Sequence, residues 1–314
     1  RDLIAFNPQF LLKLAEPLPD ACVASRSPCI WVLLSRHVRS RADVRKSFIA
    51  VSVYRGASRL YCPDVDVLVE QGVFSNGECA LVKFPRDEER DGSEYVLVVT
   101  QHASKFKFNF TLQVFTSVPA TMTLLPPLVP DFFASSATRG QWTPRTAGGC
   151  SNNVWSYFQN PQWILRVPEC VFDGLVFVLE CSAGHSVNVR LFPGMAARPD
   201  ALGSARSSGP YRRSSCVLRL NTLAPGPYVV VVSTFRPGLC ADFRLTWHAP
   251  VALELRPHPY PFASGALAHP LKCPVRFVRL GQRLCFKMRA TSSGHISVRL
   301  QTNGTTGQLP TLEL

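Results

Sequence analysis

No stretch of 18 apolar residues runs through this 314-residue chain, so no segment reads as a membrane-spanning helix. The opening RDLIAFNPQ holds too short an apolar run for a signal peptide, and Asn7-Pro8 breaks it. Arg1 is not an initiator methionine, and the chain is expected to be a fragment or processed product of something longer. No Cys-x-x-Cys pair occurs among the eleven cysteines, and the Cys22–Cys29 spacing does not suit a zinc knuckle. Lysine is scarce, and neither a lysine-rich tail nor an arginine–glycine array is present. No apolar stripe at helical spacing extends beyond about three turns, which argues against a helical bundle.

Strand signals fill the space that helices leave. Trp31–Leu34, Phe48–Tyr54, Glu78–Phe84, Tyr95–Thr100 and Phe106–Phe115 are short runs rich in β-branched and aromatic residues. In Lys105-Phe106-Lys107-Phe108-Asn109-Phe110 the apolar positions alternate, so one face can enter a core while the lysines stay wet. Turn pairs punctuate the chain at Arg55-Gly56, Asn76-Gly77, Asp91-Gly92, Pro193-Gly194, Pro225-Gly226 and Pro237-Gly238. With 46% hydrophobic residues the chain can build real cores. The expected fold class is all-β, as tandem antiparallel β-sandwiches.

A repeated phrase supports the tandem. FNPQFLLKL (Phe6–Leu14) returns as QNPQWILRV (Gln159–Val167), and EYVLVVTQHASKFKFNFTLQVF (Glu94–Phe115) returns as PYVVVVSTFRPGLCADFRLTWH (Pro227–His248). Tyr95 and Tyr228 stand 133 residues apart, as do Phe110 and Phe243, and Leu112 and Leu245, whereas Asn7 and Asn160 stand 153 apart. The second copy therefore lacks about 20 residues, expected in loops, where length is cheap to vary. Both Asn-Pro-Gln copies precede an apolar run. Proline fixes φ and biases the asparagine toward an extended conformation, which suits the approach to a strand.

Residues 1–117 thus read as a first sandwich with a truncated start, and 145–249 as a second. Between them, 118–144 carries several prolines together with Leu124, Leu125, Leu128, Val129, Phe132 and Phe133. That mixture predicts an extended, packed connection that limits relative motion. Residues 250–314 are either a partial third module or strands added to the second. Gly294-His295-Ile296-Ser297-Val298-Arg299-Leu300 echoes Gly184–Leu191, shifted by one residue.

The net charge of +13 predicts attraction to anionic surfaces. Basic residues gather at Arg36, Arg39, Arg41, Arg45 and Lys46, and again at Arg206, Arg212 and Arg213, as a candidate partner or lipid surface. The aromatics sit in strand patterns, not beside these groups, so nucleic acid is an unfavourable partner and anionic phospholipid an easier one. Asp87, Glu88, Glu89, Asp91 and Glu94 form an acidic loop that could collect Ca²⁺ weakly. Their spacing is not that of an EF-hand, and no other cofactor is indicated. Cys150, in Thr146-Ala147-Gly148-Gly149-Cys150, invites comparison with a nucleophile, but no sequence feature places a histidine beside it. Free cysteine in strands behaves as a small hydrophobe, and the expected compartment is the cytoplasm, with peripheral association to membrane or cytoskeleton. No catalytic residue is assigned.

Thr146-Ala147-Gly148-Gly149-Cys150, with Trp155 and Asn160-Pro161-Gln162-Trp163, resembles the opening of the calpain-type β-sandwich, the C2-like domain III that follows the protease core in calpains. Tyr228, Ser233-Thr234-Phe235 and Ala241-Asp242-Phe243 resemble its late signature. The first copy keeps Asn7-Pro8-Gln9-Phe10, Tyr95 and Phe110 but has drifted to Thr100-Gln101-His102. The tandem is similar to that of atypical calpains without EF-hands, the calpain-7 and PalB-like group. The resemblance implies a non-catalytic regulatory or architectural region that packs on the protease core of its parent and binds partner protein or phospholipid. The alternative is a scaffold module of a calpain-like protein with a degenerate core. The protease's Gly-Asp-Cys-Trp context has no match here.

Overall fold

A computed structural model describes residues 3–15, 29–37, 48–85, 94–102, 108–172, 174–195, 197 and 201–258. Among them the chain is almost wholly β, in two sandwiches of antiparallel strands. The first is built from β1 (Gln9–Leu14), β2 (Cys29–Arg36), β3 (Ile49–Arg55), β4 (Leu68–Glu70), β5 (Cys79–Pro85), β6 (Glu94–Gln101), β7 (Phe110–Phe115) and β8 (Ala120–Leu124). One sheet runs β4-β3-β6-β1-β8 and the other β5-β2-β7. Alternation drives the assembly: Ile30, Val32 and Leu34 of β2 and Ala80, Val82 and Phe84 of β5 point inward onto Leu12, Val51, Tyr95 and Leu97.

The second sandwich comprises β9 (Ala134–Trp142), a four-residue helical turn α1 (Val154–Tyr157), β10 (Gln162–Val167), β11 (Leu175–Cys181), β12 (Ser186–Pro193), β13 (Arg206–Ser207), β14 (Arg212–Arg213), β15 (Ser215–Leu220), β16 (Gly226–Thr234), β17 (Ala241–Ala249) and β18 (Leu255–Pro257). Its sheets run β13-β12-β16-β10-β18, with β14 also on β12, and β15-β11-β17-β9. Trp142 is the fully buried one of three tryptophans in this core; its ring lies 4.4 Å from that of Phe243 and its Nε1 donates to the Val232 carbonyl.

The pairings superimpose one copy on the other. Leu12 faces Tyr95 as Leu165 faces Tyr228, and Leu34 faces Leu112 as Leu179 faces Leu245. The offset between copies falls from 153 at Leu12/Leu165 to 145 at Leu34/Leu179, then to 138 at Val51/Val189, 136 at Leu81/Val217 and 133 at Leu112/Leu245. The length difference is thus spread over several connections, and the strand registers are kept.

The stretch 118–144 supplies an edge strand to each sandwich: β8 pairs with β1, and β9 pairs with β17. Pro126, Pro127 and Pro130 fall between the two strands, where no ladder bond is lost. Leu128 is buried at the seam where the sandwiches meet. After the second sandwich, residues 255–257 add β18 to β10, and the expected echo at 294–300 lies outside the described residues.

Candidate functional site

The Asn-Pro-Gln phrase acts as a weld. Asn160 is fully buried; its Nδ2 donates to the carbonyls of Gly149 (2.9 Å) and Tyr157 (2.7 Å), and its Oδ1 accepts from the Gly148 N–H (3.2 Å). One amide thereby ties the Gly148-Gly149 turn to α1 and to the start of β10. The glycines are required by space and angle. A Cβ on Gly148 would stand 1.8 Å from the Ser156 carbonyl oxygen, and Gly149 adopts φ +75° against Pro237. Pro161 then leads directly into β10. In the first copy Asn7 is only half-buried and reaches Thr100 Oγ1 at 3.3 Å, with Pro8 exposed beside it. There Gln9 carries more of the load, donating to the Ile4 and Leu60 carbonyls and accepting from the Leu60 N–H.

The late signature is structural as well. Ser233 Oγ and the Tyr211 hydroxyl share a 2.7 Å hydrogen bond, and burial pushes the Tyr211 phenol up to about 12. Thr234 Oγ1 donates to the Arg236 carbonyl, Phe235 stacks edge-on against Tyr211, and the Tyr228 hydroxyl donates to the Ala224 carbonyl. Phe243 sits between Trp142 and Trp163.

The sandwiches meet along a seam to which the apolar connection contributes Leu128 and Val129, and whose other members no sequence signal marked. Ala5 and Leu128, with Leu3, Tyr61 and Val129 beside them, cover Val176, Val178 and Val217 on the outer face of β11 and β15. Phe6 meets the His248 ring edge-on at 6.2 Å. Asp64 and Arg212 form an ion pair across the seam at 2.8 Å, and Cys62 Sγ lies 3.6 Å from the Ser215 carbonyl. Arg212 holds the Asp64 carboxyl below its ordinary range, chiefly through this hydrogen bond. Arg59 braces the same region from within: its guanidinium donates to the carbonyls of Ala5, Asn7, Leu125 and Pro126. The cleft left between Arg59, Tyr61, Asp64, Pro210 and Arg212 is about 190 Å³, smaller than the roughly 300–1,000 Å³ usual for small-molecule sites.

The candidate residues fall apart into several places. Arg36 is a correction: at 4% exposure it leaves the basic surface, donates through Nη2 to the Asn76 carbonyl and lies over the Phe108 ring. Its β2 position faces inward, so the guanidinium is taken into the sandwich. Arg206 and Arg213 are exposed, while Arg212 is engaged with Asp64. Arg39, Arg41, Arg45 and Lys46 lie outside the described residues, as do Asp87, Glu88, Glu89 and Asp91. Glu94 opens β6 and pairs with Lys13 on β1.

Cys150 is buried, with Asn153 Nδ2 3.6 Å from its sulfur. His37, His248 and His258 are bonded elsewhere, to Thr111, Ser135 and the Met195 carbonyl. Cys181 and Cys216 are core thiols, and burial pushes the Cys216 thiol up to about 12, far from a thiolate. Cys170 and Cys240 are exposed: each falls in a connection beside a strand and not within it.

Fold and seam together define a tandem β-sandwich region, two copies of one module in which connections beside the first pack on the outer sheet face of the second. Its sequence relatives are calpain-like proteases. The chain is 29% identical over 253 residues to the calpain-like protease palB of Emericella nidulans, covering 76% of this chain and 27% of that protein. It is 26% identical over 257 residues to calpain-7 of Homo sapiens, covering 80% and 30%. With palB/RIM13 of Cryptococcus neoformans it shares 25% over 265 residues, covering 80% and 31%. By sequence the chain is similar to the calpain-7 and PalB-like members of the calpain family. It spans less than a third of the length of these relatives. No family model matches it. Solved structures of infectious bursal disease virus particles align at a TM-score of 0.18 and 10% identity, too low to carry any argument.

Proposed function

We propose that this region is the non-catalytic regulatory and architectural part of a calpain-like cysteine protease, packing on the protease core and binding partner protein or anionic phospholipid. The observation that carries the reading is the seam. An apolar cluster, an aromatic contact and an ion pair fix one sandwich against the other. A rigid two-module body suits the support of a neighbouring domain, whereas a freely jointed pair would transmit little to it. The names of the relatives supply the protease, and the small share of their length that this chain spans leaves room for a core elsewhere. The exposed Arg206 and Arg213, within a chain of net charge +13, supply the attraction to anionic surfaces.

The test is thiol-dependent peptide hydrolysis by the full-length protein, by the same protein lacking residues 1–258, and by the 314-residue chain alone. The isolated chain is expected to be inert, and the deletion to lower kcat/KM by about tenfold or more, a loss of at least ~1.4 kcal/mol of transition-state stabilisation. Undiminished hydrolysis by the deletion variant, or hydrolysis by the isolated chain abolished in Cys150→Ala, would overturn the reading.

A further inference from the structure

The outer face of the β5-β2-β7 sheet carries an apolar patch that nothing among the described residues covers. Trp31 is 38% exposed, Leu81 55% and Phe115 52%, with Leu33 half-buried between them. They are neighbours by register: Trp31 lies between Lys83 and Phe115, and Leu33 beside Leu81. Lys83 Nζ stands 4.6 Å from the centre of the Trp31 ring. Exposed side chains scattered singly need no explanation, but four contiguous apolar positions on one sheet face do.

The internal repeat shows what such a face is for. By strand register Trp31 corresponds to Val176, Leu33 to Val178, Leu81 to Val217 and Phe115 to His248. Those four counterparts are the ones that receive the preceding sandwich: the three valines lie under Ala5, Leu128 and Tyr61, and His248 meets Phe6. Lys83 corresponds to Arg219, which stands close enough to Arg59 of the first sandwich to be felt electrostatically. The same face is therefore covered by the domain ahead of it in the second module and bare in the first. In the first module it has also become larger and more aromatic, as the centre of a protein–protein interface usually is.

We infer that the face made by Trp31, Leu33, Leu81 and Phe115 is the surface on which the protease core of the same polypeptide docks. The inference rests on the reading of this region as the support of a calpain-like core, and it adds the place and the mode. The core would lay small aliphatic side chains over Leu33 and Leu81 and a ring or chain segment against Phe115, as Leu3–Phe6 does on the second module. Lys83 at the rim favours a carboxylate or backbone carbonyls on the docking side.

Side-chain footprinting with a photogenerated carbene tests this directly. Labelling of Trp31, Leu81 and Phe115 is compared between the 314-residue chain and the full-length protein, with Val176 and Val217 as covered references and Phe172 as an exposed one. The expected result is loss of labelling at Trp31, Leu81 and Phe115 to the level of the two valines in the full-length protein alone, with Phe172 unchanged. Leu81→Asp and Phe115→Asp, both at exposed positions, should leave the isolated chain folded by circular dichroism and restore labelling of Trp31 in the full-length protein. Equal labelling of the three residues in both proteins would overturn the docking face. It would leave the supporting role to stand or fall on the hydrolysis by the deletion variant. Protection that appears in the isolated chain and grows with its concentration would assign the face to a second copy and likewise overturn the proposal.

Discussion

Asp64 and Arg212, 148 residues apart in sequence, form the ion pair that crosses from one sandwich to the other. Both side chains keep partial solvent contact, so the pair is a latch of modest strength, worth no more than about 1 kcal/mol and weakened by salt. A double-mutant cycle with Asp64→Asn and Arg212→Gln, read by urea unfolding, should show a positive coupling that shrinks at high ionic strength. The Asp64 carboxyl is held below its ordinary value. Its contribution is therefore present above the ordinary carboxylate range and is lost as pH falls through the lower folded value. A coupling unchanged between pH 7 and pH 3 would contradict this.

Asn160 and Asn7 occupy equivalent places with unequal duties. Asn160→Ala removes three hydrogen bonds from a fully buried site and strands the Gly148 N–H and the Gly149 carbonyl, while the Tyr157 carbonyl keeps the backbone N–H of residue 160. A loss of about 2–4 kcal/mol is expected. Asn7→Ala removes one part-buried contact and should cost under about 1 kcal/mol. The comparison is made by chemical denaturation of the 314-residue chain. Equal losses would mean that the amide is not the weld.

The repeat was legible because both copies keep their strand registers, so Tyr95/Tyr228 and Phe110/Phe243 fall on matching strand positions. The all-β class followed from β-branched runs cut by turn residues. Other features turn on which way one side chain faces. Arg36 looks basic and available in a list of residues, yet its β2 register turns it inward. Prolines 126, 127 and 130 signalled a connection, and they do sit in one, but the residues flanking them are edge strands, which tolerate nearby proline. Of the seam only Leu128 and Val129 stand out in the sequence, as apolar residues of the connection; Ala5, Tyr61 and Val178 have no shared motif and meet through the tertiary arrangement alone.

His248 gives the seam a pH dependence. Its Nδ1 is bonded to Ser135 Oγ at 2.6 Å, its Nε2 is buried without a partner among the described residues, and burial lowers its pKa below the ordinary histidine value. The folded state therefore favours the neutral ring. Its share of stability is complete above the ordinary value, near 6.5. It falls as pH drops from there through the depressed folded value and levels off below it, because the unfolded chain takes up the proton first. His248→Phe places at this position the residue found at its counterpart, Phe115, and cannot titrate. Unfolding free energies at pH 8 and pH 5 should differ less for His248→Phe than for the parent chain; an equal or larger difference would show that this ring is not the titrating group.

Arg59 makes the most demanding set of contacts in the first sandwich. One guanidinium reaches four carbonyls on two segments, Ala5 and Asn7 ahead of β1 and Leu125 and Pro126 after β8. Those segments carry Ala5 and Leu128 into the seam, so the fork sets the position of the interface as well as the edge of the sheet. A lysine keeps the charge but presents a single ammonium on a flexible stem and cannot satisfy acceptors arranged around a planar fork. Arg59→Lys is therefore expected to lose most of what Arg59→Ala loses, about 2–4 kcal/mol for part-buried carbonyls left without donors. Amide hydrogen exchange gives the local signature: protection should fall at Ile4, Asn7 and Leu125, whose N–H groups bond Tyr61, Ile4 and Gln9 respectively, while β11 and β16 in the second sandwich keep theirs. Full rescue by lysine would show that charge, not the geometry of the fork, holds these segments together.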